Sequence, residues 1–113
     1  MANPNDFSAE YLYLTTIGRK TGKSHEIEIW FVERQGRLYV LTEFPERSNW
    51  YQNIIANPSV IVRIGQRRWA ATGRLLVLEV EETLYRQVQD QCREKYDWGD
   101  GTPVELELGQ ELP

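Results

Sequence analysis

The chain has 113 residues, 41% hydrophobic and 27% charged, which indicates a single globular domain, residues 1–113, with one core. Its net charge of −4 and pI near 5.0 argue against a general nucleic-acid binder, because such a protein needs a basic surface. No apolar run reaches about 18 residues and no basic-then-apolar leader opens the chain, so we expect neither a membrane span nor a secretory signal.

The first half of the chain predicts three antiparallel strands. β-Branched, aromatic and alternating residues indicate strands at residues 11–17, 24–33 and 38–42, with glycine-containing turns between them. In the second strand, Ile27, Ile29 and Phe31 would share one face of the sheet. The opposite face would carry Glu26, Glu28 and Trp30.

The second half predicts two helices and three strands. A short helix follows a cap at Ser48 or Asn49 and ends at Asn57-Pro58. Its buried side is expected to carry Trp50, Ile54 and Ile55. Strands at 59–64 and 68–78 come next, and Gly73 within the latter indicates a bulge or bend.

A change of period then predicts the longer helix, over residues 79–96, before a last alternating strand at 102–108. The helix is expected to bury Leu84, Val88, Cys92 and Tyr96, which recur every four residues. Six strands and two helices joined mostly by hairpins predict a mostly β, α+β fold built on a closed or partly closed six-stranded barrel. A flat six-stranded sheet with one helix layer is the alternative.

The residues that usually carry catalysis are scarce. Cys92 is the sole cysteine and His25 the sole histidine, so we expect no metal site with nitrogen and sulfur ligands and no catalytic triad. A single cysteine also suits the reducing cytoplasm, where we place the protein. We expect no catalytic residue in the chain, and any chemistry should come from a bound cofactor.

A basic turn between the first two strands is the strongest candidate for ligand binding. Gly18 and Gly22 flank it, and both can adopt positive φ and direct backbone N–H groups toward one point. Arg19 can fork onto a phosphate or carboxylate, while Lys20 and Lys23 add charge. This pattern predicts an anion site. The alternative is a solvated hairpin turn without a ligand.

Two other stretches carry residues suited to a ligand. Glu26 and Glu28 would share a face with Trp30, and so large an apolar ring indicates a face that lines a groove or meets another chain. Such carboxylates are more often simply solvent-facing. Trp50 and Tyr51 open the short helix, where they could stack on a planar ligand or anchor the core.

In their order along the chain, these stretches resemble the deazaflavin-dependent nitroreductase family. Its members are split-barrel relatives of the flavin-binding pyridoxamine-phosphate-oxidase-like superfamily. The similarity covers about residues 11–76 and extends more loosely to 108. It is carried by LTTIGRKTG at 14–22, WFV at 30–32, GRLYV at 36–40, WYQN at 50–53 and ANPSV at 56–60.

The resemblance implies a six-stranded antiparallel split β-barrel that binds the deazaflavin coenzyme F-420. Such a protein would be an oxidoreductase, transferring hydride to a small organic acceptor such as a nitroaromatic or a quinone. The coenzyme phosphate and its acidic tail would lie toward Arg19 and Lys20. Taken together, the candidate cofactor-binding residues are Thr16, Gly18, Arg19, Lys20, Thr21, Gly22, His25, Glu28, Trp30, Thr42 and Trp50.

Three places depart from the family pattern. Better-studied members have a Pro-Arg pair after the turn and a proline further along the strand, where this chain has Ser24-His25 and Glu28. They also have a Ser-Lys-Gly-Gly stretch after the third strand, where this chain has Thr42-Glu43-Phe44-Pro45. Because two positive contacts are weakened and acidic groups lie nearby, FMN, a different ligand or a lost cofactor remain alternatives to the deazaflavin.

The partners expected are a small-molecule electron acceptor and a second copy of the chain. A homodimer follows from the mixed face of Glu26, Glu28 and Trp30 and from the pairing that is common in the superfamily. The alternative function is a non-catalytic dimeric module that binds a small anion or a flavin. A barrel for single-stranded nucleic acid would use the residues Arg63, Arg67, Arg68 and Trp69, but the acidic net charge argues against it.

Overall fold

A computed structural model describes residues 7–113. Its strands are β1 Tyr11–Ile17, β2 Ser24–Trp30, β3 Val32–Arg34, β4 Arg37–Thr42, β5 Ser59–Ile64, β6 Arg67–Leu75 and β7 Thr102–Leu112. Its helices are α1 Asn49–Ala56 and α2 Glu82–Tyr96, and a 3-10 turn at Pro45–Arg47 precedes α1. No helix in the described part of the chain is long and apolar enough to cross a membrane.

The strands form one antiparallel sheet in the order β2-β1-β5-β6-β7-β4-β3. The sheet curls into a half-barrel, so the prediction of a mostly β fold with two helices is confirmed, and the flat alternative is not what is observed. β1 and β2 pair along their whole length, with Tyr11 opposite Trp30 and Ile17 opposite Ser24. This pairing fixes the two faces of β2, which carries three of the candidate residues, His25, Glu28 and Trp30.

The sheet has seven strands, so the prediction of six is wrong. The predicted strand at 24–33 is divided at Phe31, whose backbone bonds to side chains of α2. Its N–H donates to the Tyr96 hydroxyl at 3.1 Å, and its carbonyl accepts from the Lys95 ammonium at 2.9 Å. Because the side chain of Phe31 still enters the core, the alternation of the sequence continues through the break and conceals it.

The core has two parts. The larger fills the concave side of the sheet and includes Leu12, Leu14, Phe31, Val62 and Leu106. The smaller lies where α2 covers the sheet, and it contains Val32, Tyr39, Leu41, Leu76, Val88 and Cys92, with Leu84 and Tyr96 packed against them. The buried face predicted for α2 is therefore confirmed.

Near α1, the predicted burial of Ile55 is wrong, and of the bulge or bend predicted at Gly73 the bulge is not found. Ile54 is buried, but Ile55 is 54% exposed, because consecutive helical residues point in directions about 100° apart. Gly73 forms no bulge and pairs in register with Leu106, while the irregularity lies between Trp69 and Ala71. A Cβ at Gly73 would lie 2.9 Å from Cγ2 of Ile54, so glycine is needed there for α1 to approach β6.

A buried carboxylate connects β4, β6 and β7. Glu105, 3% exposed, accepts hydrogen bonds from the Tyr39 hydroxyl (2.9 Å), from Arg37 Nη1 (2.9 Å) and from Arg74 Nε (3.2 Å) and Nη2 (3.1 Å). Burial alone would raise the pKa of Glu105, but the hydrogen bonds from Arg74, Tyr39 and Arg37 outweigh it and hold that pKa below its ordinary value. The carboxylate therefore stays ionised inside the fold.

Candidate functional site

The basic turn, residues 18–23, is closed by its own backbone. Gly18 N–H donates to the Lys23 carbonyl at 2.7 Å, and Gly22 N–H donates to the Gly18 carbonyl at 2.8 Å. Of the two glycines, only Gly22 has a positive φ, 73°. The expectation of positive φ therefore holds for Gly22 and not for Gly18, and the N–H groups of both glycines bond within the turn. Gly18 lies close to the imidazole of His25: a Cβ there would be 2.9 Å from Nε2, so the exposed ring would have to move.

Arg19 is held from one side by α1. Its Nη1 donates to Asn53 Oδ1 at 2.8 Å, and its backbone N–H donates to the same oxygen at 3.2 Å. Longer contacts reach the Asn49 carbonyl at 3.4 Å and Asn49 Oδ1 at 3.5 Å. No hydrogen bond of Arg19 Nε to the described residues is found, so the guanidinium is oriented and still has donor capacity for an anion.

Asn53 is the site residue that sequence reasoning missed. It is 3% exposed, and its Nδ2 donates at 3.1 Å to the hydroxyl of Thr16, which is 1% exposed. One amide thus joins β1, the basic turn and α1, and it sets the direction of Arg19. The signal available in the sequence was its place in WYQN at residues 50–53, one of the runs that carried the resemblance.

Seven of the candidate residues border one cleft of about 400 Å³ between the basic turn, β2 and α1, called here the turn cleft. They are Thr16, Gly18, Arg19, Lys20, Thr21, His25 and Trp50. Gly22 belongs to the basic turn and does not line the cleft. Within residues 7–113, neither Arg19 nor Lys20 forms an ion pair, and Glu26 is the one acidic residue of the lining. The turn cleft therefore offers two uncompensated cations to an anionic ligand.

Glu28 and Trp30 line a different cavity. This aromatic pocket of about 220 Å³ is bordered by Glu28, Ile29, Trp30, Leu41, Cys92, Tyr96 and Trp98. The rings of Trp30 and Tyr96 are stacked, with centroids 4.5 Å apart and planes 4° from parallel. Burial raises the pKa of Cys92 to about 11 and that of Tyr96 to about 12, so both are neutral near pH 7 and neither is an activated nucleophile.

Thr42 lies outside both cavities. It is buried at the end of β4, where its hydroxyl meets that of Ser48, the residue before α1. Thr42 therefore does not border a ligand in either cavity, but its contact with Ser48 helps to position α1. In the described part of the chain, no three His, Cys, Asp or Glu side chains are grouped so that they could hold a metal ion.

Both cavities are bordered by residues of β2. His25 borders the turn cleft, and Glu28 and Trp30, three and five residues further on, border the aromatic pocket. At a rise of about 3.3 Å per residue, these positions lie about 10–17 Å apart. His25 lies on the face of β2 that carries Ile27, whereas Glu28 and Trp30 lie on the opposite face, so the two cavities are separate.

Comparisons with known proteins identify the family and the fold. A family model described as F420H(2)-dependent quinone reductase matches residues 5–107. The chain is 25% identical to an F420-H2 dependent reductase, FDR-A, with a TM-score of 0.61 over 86% of this chain and 92% of that one. A structure described as a domain-swapped dimer is 26% identical, with a TM-score of 0.61 over 86% and 78% of the two chains. The heme storage protein HutZ from Vibrio cholerae shares the fold, at 19% identity and a TM-score of 0.73 over 89% and 82%.

Proposed function

Because the chain belongs to the F420H(2)-dependent quinone reductase family, we propose that it is a reductase that uses reduced F-420 and acts on a quinone, a nitroaromatic or a related small acceptor. The observation that carries the proposal at the level of residues is the turn cleft, where Arg19 and Lys20 face open space without an ion-pair partner among residues 7–113. These two cations suit a cofactor that carries a phosphate. The single cysteine, which is buried and free, suits a protein of the reducing cytoplasm.

The residues of the turn cleft fit the phosphate of this coenzyme. Arg19 and Lys20 would hold the phosphate, and Asn53 keeps Arg19 in place through its 2.8 Å hydrogen bond. When bound, the coenzyme supplies hydride. The chain supplies orientation, through Arg19 and Lys20 at the phosphate, and the exclusion of water. FMN carries a phosphate as well, so the ring system decides between the two cofactors, and titration with each measures that preference.

We predict that Arg19→Ala weakens binding of F-420 by about 10- to 150-fold, equivalent to about 1.5–3 kcal/mol, because it removes charge-assisted hydrogen bonds to phosphate. Titration calorimetry measures the loss. Added salt should weaken binding more steeply for the wild type than for the Arg19→Ala, Lys20→Ala double variant.

Lys23→Ala is the matched control, since Lys23 belongs to the same turn but does not border the turn cleft. It should bind F-420 like the wild type. Circular dichroism checks that Arg19→Ala remains folded, because this variant also loses its hydrogen bonds to Asn53. Equal affinities and equal salt slopes for the wild type and the double variant would contradict the assignment of the anion site.

A non-catalytic anion- or flavin-binding module is the second candidate. The observation that favours it is the engagement of Arg19 with Asn49 and Asn53, since a ligand must share a guanidinium that is already hydrogen-bonded. Steady-state turnover distinguishes a reductase from a non-catalytic binding module. A reductase oxidises F420H2 when a quinone such as menadione is added, whereas a binding module binds the coenzyme without turnover.

We further propose that the protein is a homodimer. Tyr11, opposite Trp30 at the start of β1, is 39% exposed, and an aromatic ring left in solvent suits contact with a second chain. The likeness to a domain-swapped dimer at 26% identity supports the same state. Multi-angle light scattering at micromolar concentration should give twice the chain mass of 13.3 kDa. A mass of one chain would contradict the prediction.

A further inference from the structure

The two carboxylates on the exposed face of β2 have different surroundings. Glu26 is paired with Arg63, whose Nη2 lies 3.5 Å from its Oε1. Glu28 accepts a hydrogen bond from the Tyr13 hydroxyl at 3.1 Å and forms no ion pair with any residue of 7–113. That hydrogen bond raises the pKa of Tyr13, so the phenol stays a neutral donor and leaves the negative charge of Glu28 uncompensated.

Arg63, a cation on this face, is already engaged. Arg63 lies over the ring of Tyr13 at 4.0 Å, and its charge is directed to Glu26 rather than to Glu28. Lys95, whose ammonium is 5.0 Å from the centroid of the Tyr96 ring, donates to the carbonyls of Ala9 at 2.7 Å and Phe31 at 2.9 Å. Among residues 7–113, no lysine or arginine, Lys95 included, borders the aromatic pocket.

The aromatic pocket combines this carboxylate with aromatic walls. Trp30, Tyr96 and Trp98 border it, and Trp30 remains 46% exposed although it stacks on Tyr96. The faces of aromatic rings, tryptophan most strongly, attract cations, and a neighbouring carboxylate adds to this attraction. The pocket volume of about 220 Å³ lies below the range of about 300–1,000 Å³ that drug-sized ligands use, so it suits a smaller molecule.

We propose that the aromatic pocket binds a flat aromatic cation of one or two rings, with its positive charge against Glu28. In the reductase this molecule would be the electron acceptor, and Glu28 would favour cationic acceptors over neutral or anionic ones of the same shape. That role rests on the proposed function. The binding itself does not, because the pocket and its carboxylate belong to the chain alone.

The test uses two probes on the protein without coenzyme, N-methylquinolinium and quinoline, at about pH 8, where quinoline is neutral. Calorimetry should show that the wild type binds the cation more tightly than quinoline. Glu28→Gln should weaken binding of the cation about fivefold and leave quinoline unaffected, since it removes one partly exposed charge and keeps an acceptor for Tyr13.

Glu26→Gln is the matched control, because it removes a carboxylate of the same face that is already paired with Arg63. It should leave the affinity for both probes unchanged. Equal affinity of the wild type for the two probes, equal effects of the two variants, or no binding of either probe would each overturn the proposal. Since no coenzyme is present, a failure of F420H2 turnover would not affect this result, and the two hypotheses can fail separately.

Discussion

Replacing Glu105 with alanine should lower the free energy of unfolding by about 2–3 kcal/mol, at the upper end of the usual cost of leaving a buried polar group without its partner. Glu105 accepts four hydrogen bonds, and its loss leaves the buried hydroxyl of Tyr39 without its acceptor. Arg37 and Arg74 also lose their shared partner, although both reach solvent at about half exposure. Urea unfolding followed by circular dichroism measures the change.

The control for this prediction is Glu107→Ala. Glu107 pairs with Arg37 at 2.9 Å but is itself 56% exposed, so its loss should cost less than about 1 kcal/mol. If both variants lose the same free energy, the burial of Glu105 does not determine its contribution.

The same carboxylate predicts how stability depends on pH. Its pKa is lower in the folded chain than the value of about 4.3 usual for an unfolded glutamate. The stabilisation is therefore fully present above about pH 4.3 and is lost as the pH falls through the folded pKa. The difference in unfolding free energy between the wild type and Glu105→Gln should shrink below about pH 4. A difference that stays constant from pH 6 to 3 would contradict an ionised Glu105.

The second large effect is expected at the loop that follows α2. A Cβ at Gly99 would lie 2.1 Å from the Gln89 carbonyl oxygen and 2.7 Å from Cγ of Arg93, so Gly99→Ala must displace either the loop or the helix. Overpacking of this severity should cost about 3 kcal/mol or more of unfolding free energy. Because Trp98 precedes Gly99 and borders the aromatic pocket, the variant should also bind N-methylquinolinium more weakly.

Gly109→Ala provides the comparison, since Gly109 is an exposed glycine of β7. Its added Cβ would approach only the Ala70 carbonyl oxygen, at 3.1 Å, and its stability should change by less than about 1 kcal/mol. Urea unfolding and calorimetry on both variants measure the two effects. A Gly99→Ala protein as stable as Gly109→Ala would mean that the loop can move away from α2 at little cost.

The division of the candidate residues between two cavities bears on specificity. The turn cleft presents cations and the aromatic pocket presents a carboxylate, so the two ends of β2 favour ligand groups of opposite charge. Such an arrangement would separate the cofactor phosphate from an acceptor that carries positive charge. Substitution of the cations in the turn cleft should therefore change the preference for the phosphate and leave the preference for a cationic acceptor unchanged. Substitution of Glu28 should do the reverse.

The elements that local pattern controls could be read from the sequence. β1 at Tyr11–Ile17 and β5 at Ser59–Ile64 have the predicted bounds, because alternation of side chains between two faces is a property of each strand alone. The buried face of α2 followed in the same way from its period of four. The cations of the basic turn were also evident, since neighbours in sequence must lie close together.

Contacts between distant residues decided the rest. The break at Phe31 depends on Tyr96, 65 residues away, and the orientation of Arg19 depends on Asn53, 34 residues away. Residues two to five apart on β2 fell into separate cavities because α1 meets one end of the strand and α2 the other. Periodicity assigns a side chain to a face, but hydrogen bonds and packing across the fold determine what that face meets, and they form only when the chain has curled on itself.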